Sequence, residues 1–172
     1  MNITKLEAVN DVMRRIGKLP ITALDTGGDS TEGHVEREID EVVRKMQSNG
    51  WMWNTKYDVE VTPDSSTNKV QVNELEGASV EIYSVDTDAE SAGVNVMRAG
   101  NFLYDLEKNQ DTFEDYSTLK LRYVYERAFT EIPDQFITWI IATSAFNYNR
   151  QYIKDQTIDQ RLIAETGVTK VD

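Results

Sequence analysis

The feature that most constrains this chain is a change of hydrophobic period, from about 3.6 residues to 2 after Gly50 and back again at Pro133. A stretch with the longer period buries one stripe of a helix, and a stretch with the shorter one buries one face of a strand. The resulting order is helix, helix, several short strands, then helix, with no alternation of strand and helix. That order predicts an α+β fold: a helical bundle of three long helices and a short C-terminal helix, with a small antiparallel β-sheet domain inserted into it. In residue numbers, the bundle takes 1–50 and 131–172 and the β domain takes 51–130.

The first helix has readable ends. Thr4 and Glu7 fit a capping box, in which each side chain satisfies one orphan N–H of the first turn. Leu6, Val9, Met13 and Ile16 then fall on one face, Gly17 suits the left-handed turn that ends a helix, and Pro20 prevents its continuation. The segment from Lys18 to Thr31 reads as a loop. A second helix is expected from near Asp29, with Asp29 and Glu32 as its capping pair, Val35, Ile39, Val42, Val43 and Met46 as its apolar stripe, and Gly50 as its stop.

Beyond Gly50, Tyr57, Val59 and Val61 alternate with polar residues up to Pro63, the pattern of a half-buried strand. Further short strands are expected at Lys69–Val72, Ser79–Val85, Val94–Arg98 and Phe102–Asp105, the last two joined by a tight hairpin at Gly100-Asn101. The strongest strand signal is Leu119 to Glu126, with Leu119, Leu121, Tyr123 and Tyr125 on one side and Lys120, Arg122 and Glu126 on the other. Pro133 opens a third helix of roughly 20 residues, spanning about 30 Å. It has Phe136, Ile137, Ile140, Ile141, Ser144 and Tyr148 on one face, and Trp139, Ala142, Ala145 and Phe146 widen the apolar surface nearly all round. Asp134, Thr138, Asn147, Asn149 and Arg150 exclude a membrane span. Thr157 and Gln160 fit a last capping pair, and Gly167 limits that helix to two or three turns.

The composition narrows the function. There is no cysteine, which excludes a disulfide framework, thiol nucleophiles and thiolate zinc sites. Charges interrupt the apolar positions of the first 18 residues, unlike a signal peptide, so a cytosol or a particle assembled in one is expected. The net charge is −12, and residues 51–130 carry seven basic and fifteen acidic side chains. Tight binding to phosphate backbones needs Lys and Arg in excess, so high-affinity nucleic-acid binding is not expected.

No constellation of catalytic type stands out. His34 is the single histidine and cannot build a metal cluster alone. The Gly27-Gly28 loop lacks the lysine of a phosphate-binding loop, and Asp29 and Glu32 would repel an anion. Glu36 with Asp40, and Asp111 with Glu114 and Asp115, read as solvated faces rather than acid–base pairs. Trp51 and Trp53 admit two readings: aromatic platforms of a soluble ligand- or carbohydrate-binding module, or pins at a helix-to-sheet junction. No cofactor or metal is expected. The apolar third helix, the long amphipathic second one and the aromatic sheet offer more surface than a monomer needs, which favours an assembly protein.

Four segments carry a resemblance. TKLEAVNDVMRRIGKLPITALD has an alanine-valine-asparagine helix and an isoleucine-glycine-x-x-proline stop; NGWMWNT has glycine-tryptophan-x-x-asparagine; RAGNFLYDLEKNQDTF has a glycine–tyrosine–aspartate hairpin; and EIPDQFITWIIATSAFNYNRQY is a proline-started helix. Their order and spacing, over nearly all of Thr4 to Tyr152, resemble the tail tubular protein A family, the head-to-tail adaptor of podovirus-type short-tailed bacteriophages. The resemblance implies a structural, non-enzymatic subunit of a dodecameric ring in the virion tail, assembled in the host cytoplasm. Its partners would be the portal protein and a nozzle protein of tail tubular protein B type, with DNA passing through the lumen without specific binding and no membrane involved.

An assembly of that kind would use three sets of contacts. The portal would be met by the segment from Asp155 onward, through Asp155, Gln156, Thr157, Ile158, Arg161, Leu162, Val168 and Lys170. Neighbouring subunits and the core would share the helix residues Val35, Ile39, Val42, Phe136, Trp139, Ile140 and Phe146. The nozzle would be faced by loop residues Asp64, Ser65, Ser66, Thr67, Asp88 and Glu90. Compared with the longer helical tail usual in that family, the last helix here is short.

Overall fold

The computed structural model describes residues 3–25, 28–72, 75, 81–87 and 94–166. Among these, four helices and two small antiparallel sheets form, distributed over two units: residues 1–46 with 128–172, and residues 47–127.

In the first unit, α1 (Lys5–Arg15) starts at the expected capping box, with the Thr4 N–H on Glu7 Oε2 at 2.7 Å and the Glu7 N–H on Thr4 Oγ1 at 3.2 Å. It ends at Gly17, whose φ of +74° lets the Lys18 N–H return to the Met13 carbonyl at 2.8 Å. Helix α2 (Thr31–Gln47) starts later than the sequence suggests. Its cap is Ser30, whose hydroxyl accepts from the Gly33 N–H at 3.1 Å, while the Asp29 side chain stands almost fully in solvent. Serine and aspartate cap about equally well, so two adjacent candidates could not be separated by residue type.

Helix α3 (Asp134–Tyr148) follows Pro133, which sits at the N-cap rather than inside the first turn. The α-helix is 15 residues long, not about 20, because the chain relaxes into a π turn at Asn149–Ile153 and is stopped by Lys154 in the left-handed region, φ +61°. Helix α4 (Gln156–Thr166) is capped by Asp155, which accepts from the Thr157 N–H at 2.7 Å, and not by Thr157. With 11, 17, 15 and 11 residues, the four helices are shorter than the three long helices expected. The ladder of α3 breaks at the π turn although apolar residues continue through Tyr152 and Ile153. Lys5 ties α1 to α2, with its ammonium 2.9 Å from Glu36 and 2.8 Å from Asp40. Asn147 of α3 donates to Glu38 of α2 at 2.8 Å.

The second unit holds a three-stranded sheet ordered β1 (Thr55–Val61), β5 (Leu119–Tyr125), β2 (Ile82–Thr87), and a two-stranded sheet of β3 (Val96–Ala99) and β4 (Phe102–Asp105). All pairings are antiparallel. The β3–β4 turn is Gly100-Asn101 as the sequence suggests, with a positive φ of +66° at the glycine alone, the mark of a type II′ hairpin. Central strand β5 buries Leu119, Leu121, Tyr123 and Tyr125, which share one apolar cluster with Val70, Val72, Ile82, Val85, Val94, Val96, Leu103 and Phe113. Lys69–Val72 is not a full strand; Gln71 makes one isolated bridge to Phe102. Tyr57 is also misassigned by simple alternation. A bulge between Lys56 and Val59, with Asp58 at φ +54°, turns Tyr57 outward to 52% exposure while Val59 and Val61 stay half-buried.

Candidate functional site

The residues at the motif positions act as locks on the backbone. Asn10 holds Ile21 from both sides, accepting its N–H at 2.7 Å and donating to its carbonyl at 3.0 Å, which fixes the loop after Pro20. Gln47 does the same for Arg127: the Arg127 N–H reaches Oε1 at 2.7 Å and Nε2 reaches the Arg127 carbonyl at 3.0 Å. Gln47 and Arg127 are the first and last residues of the second unit, so this amide joins the entering and leaving chain as a ladder bond would. Asn54, fully buried, completes the clamp by donating to the carbonyls of Gln47 at 2.8 Å and Tyr125 at 3.2 Å and accepting from the Trp51 N–H at 2.7 Å. Gly50 has φ +74°, and a Cβ there would lie 2.8 Å from Val124 Cγ2. Asp105, also buried, accepts from the Glu107 and Lys108 N–H groups at 2.8 and 3.0 Å, closing the turn after β4.

These locks explain what glycine-tryptophan-x-x-asparagine does: it is a strand-entry clamp. Trp51 lies at 39% exposure and Trp53 is half-buried on either side of Met52, which is 89% exposed. Asn54 is the member of the motif with the most backbone work. Gln47 carried no signal in the sequence, since a glutamine near a helix end is ordinary and its partner lies 80 residues away.

The outer face of α3 presents a different kind of surface. Trp139 is 45% exposed, Phe136 and Phe146 are half-buried, and the Arg150 guanidinium lies 4.4 Å from the centre of the Phe146 ring. Val35, Ile39, Val42 and Ile140 are buried within the chain itself, in line with the core part of the role expected of them.

Helix α4 is seated rather than free. Leu162 is fully buried. Asn149 donates to the Asp155 carbonyl and to Asp159 Oδ1, both at 2.9 Å, Arg150 pairs with Asp159 at 3.2 Å, and Arg161 donates to the Arg15 carbonyl. Asp155, Gln156, Thr157 and Arg161 are exposed and Ile158 is half-buried. Val168 and Lys170 lie outside the described residues.

Loop residues Asp64, Ser65, Ser66 and Thr67 are all exposed, and Asp88 and Glu90 lie outside the described residues. Asp64 Oδ1 accepts from the Ser66 hydroxyl at 2.6 Å, the Thr67 N–H at 2.8 Å, the Thr67 hydroxyl at 2.9 Å and the Ser66 N–H at 3.0 Å. The Ser66 hydroxyl and the others hold the carboxyl well below its ordinary 3.8, at about 2. A carboxylate with a lowered folded-state pKa contributes order that is complete above its unfolded value and fades as pH falls through the folded one. The loop is therefore expected to keep its shape to about pH 4 and to lose it toward pH 2. Carboxyl-carbon NMR should find the Asp64 midpoint near 2, and a midpoint at the ordinary value would show that the loop is open.

The remaining candidates are occupied by structural duties. His34 Nε2 lies 3.1 Å from Asp29 Oδ1, and its Nδ1 is 2.8 Å from Arg37. The Asp25 carboxylate fills the space beside Gly28 where an anion would approach and where a Cβ would stand. Glu36 is buried against Lys5 rather than solvated. Asp111 and Asp115 pair with Lys69 and Lys108. Among the described residues no group of three or more His, Asp or Glu could hold a metal, and no helix is long and apolar enough to cross a membrane. The model of one protein family, described as tail tubular protein, matches residues 6–169. No curated protein matches the chain.

Proposed function

The chain belongs to the tail tubular protein family and is a structural component of a phage tail, and from that premise we propose that it is the ring subunit of a head-to-tail adaptor. The match over residues 6–169 carries this reading, because it reaches across both units, holds three of the four motif segments whole and takes in the first from Leu6 onward. In the proposed assembly, twelve copies close a ring in which the Trp139 face of α3 packs on the next subunit. A half-exposed tryptophan flanked by two phenylalanines and a ring-stacked arginine has the composition of an interface centre. The exposed start of α4, from Asp155 to Arg161, faces the portal, and the Asp64–Thr67 loop faces the nozzle.

The charge supports the lumen role. A protein with net charge −12 repels the DNA backbone, so DNA passing through such a ring would slide rather than bind. The backbone locks suit a ring that must stay rigid, since Asn10, Gln47, Asn54 and Asp105 stiffen the chain. A phage whose copy of this protein is disabled should yield DNA-filled heads without tails, and adding purified protein should restore tails and infectivity. Mutant particles that retain complete tails would contradict the adaptor role.

A further inference from the structure

Beside β1 runs a groove of about 490 Å³. Val59, Glu60, Val61 and Thr62 line one wall, and Lys69, Val70 and Gln71 line the other, with Leu75 below. Three successive residues of a strand, Val59 to Val61, can line one groove only if it runs along the strand's edge, because successive side chains point to opposite faces. β1 is an edge strand: β5 is its one neighbour, and among the described residues no strand pairs with Val59–Val61 on the other side. The opposite wall already has a partner of its own, as the Leu103 N–H bonds to the Val70 carbonyl at 3.0 Å and Gln71 bridges Phe102. The two walls are joined at the loop, where the Asp64 N–H meets the Lys69 carbonyl at 2.9 Å.

Edge strands are ordinarily blunted, and this one is blunted at both ends. The bulge at Asp58 twists its first half away and Pro63, with no N–H, closes its end. Between them Val59 to Thr62 has no strand partner on its outer side among the described residues, above half-buried Val59 and Val61 and buried Val70. The geometry points to β-strand addition: an extended segment of about four or five residues from a neighbouring tail protein pairs with the outer edge of β1 and fills the groove. That segment is basic. Residues 47–127 carry seven basic and fifteen acidic side chains, and Glu60 and Asp64 stand at the groove. Its one cation, Lys69, is already held by Asp111 at 2.5 Å. A second copy of the same acidic unit is disfavoured as occupant by like charge. This inference deepens the proposed function and rests on the chain being part of a tail.

The test is hydrogen exchange followed by mass spectrometry on the free protein, dilute and concentrated, and on the same protein inside purified phage tails. Those backbone amides of residues 59–62 that face away from β5 are expected to exchange at least about tenfold more slowly in tails than in either free sample. Tails built with Glu60→Lys, an exposed position, should lose most of that protection. Equal exchange in tails that contain the protein would overturn strand addition and leave the tail role intact. Protection that rises with concentration of the free protein would make the occupant a second copy and overturn the assignment. Protection unchanged by Glu60→Lys would overturn the basic partner. Absence of the protein from tails would instead overturn the premise.

Discussion

Replacing Asn54 with alanine is expected to destabilise the sheet unit by roughly 2–4 kcal/mol, because it strands several buried backbone groups at once. The carbonyls of Gln47 and Tyr125 lose their donor and the Trp51 N–H loses its acceptor, all at a residue with no exposed surface. In thermal melting this should appear as a fall in Tm on the order of 10 °C. Asn54→Asp should be no better. It keeps the acceptor for Trp51 but turns the donor into an oxygen that faces two carbonyls. A variant that melted within about a degree or two of the parent would show that the clamp contributes little to the fold.

The second large effect concerns assembly rather than folding. Trp139→Ala removes a side chain that is 45% exposed, so the fold should survive with a modest loss. If α3 forms the ring boundary, the same change should cost at least about 2 kcal/mol at each interface, or roughly 30-fold in affinity. A closed ring repeats the interface at every subunit, so the concentration needed for assembly should rise steeply. Melting and light scattering on the same sample separate the two effects. Unchanged melting with lost assembly supports α3 as the boundary, whereas unchanged assembly places the boundary elsewhere.

How much of the fold was readable in the sequence follows from how local each interaction is. The Thr4–Glu7 box, the Gly17 stop and the Gly100-Asn101 hairpin involve partners within a few residues, and all three stand where the pattern put them. Ser30 in place of Asp29, and Asp155 in place of Thr157, are errors of one or two positions among residues with similar capping ability. Tyr57 fails for another reason: a single bulge residue reverses the alternation and nothing in the apolar pattern announces it. The ends of α3 could not be seen either, since apolar periodicity continues through the π turn.

The assembly surfaces were less legible still. Apolar content shows which residues avoid water but not whether they find shelter in their own chain or in a neighbour. Ile140 and Trp139 are adjacent and equally apolar in pattern, yet one is fully buried and the other half-exposed. Leu162 likewise went to the chain's own interior. Lys5 with Glu36, separated by 31 residues, and Gln47 with Arg127, separated by 80, needed the folded backbone to be found at all. The four motif segments therefore identified the family more surely than any one of them identified a site.

The central claim is that this protein closes a ring against the portal. Native mass spectrometry of the purified protein, alone and mixed with the portal ring of its phage, addresses that claim most directly. The expected result is a single complex in which one portal ring carries a full set of twelve copies. A protein that remains monomeric and ignores the portal at every concentration would contradict it.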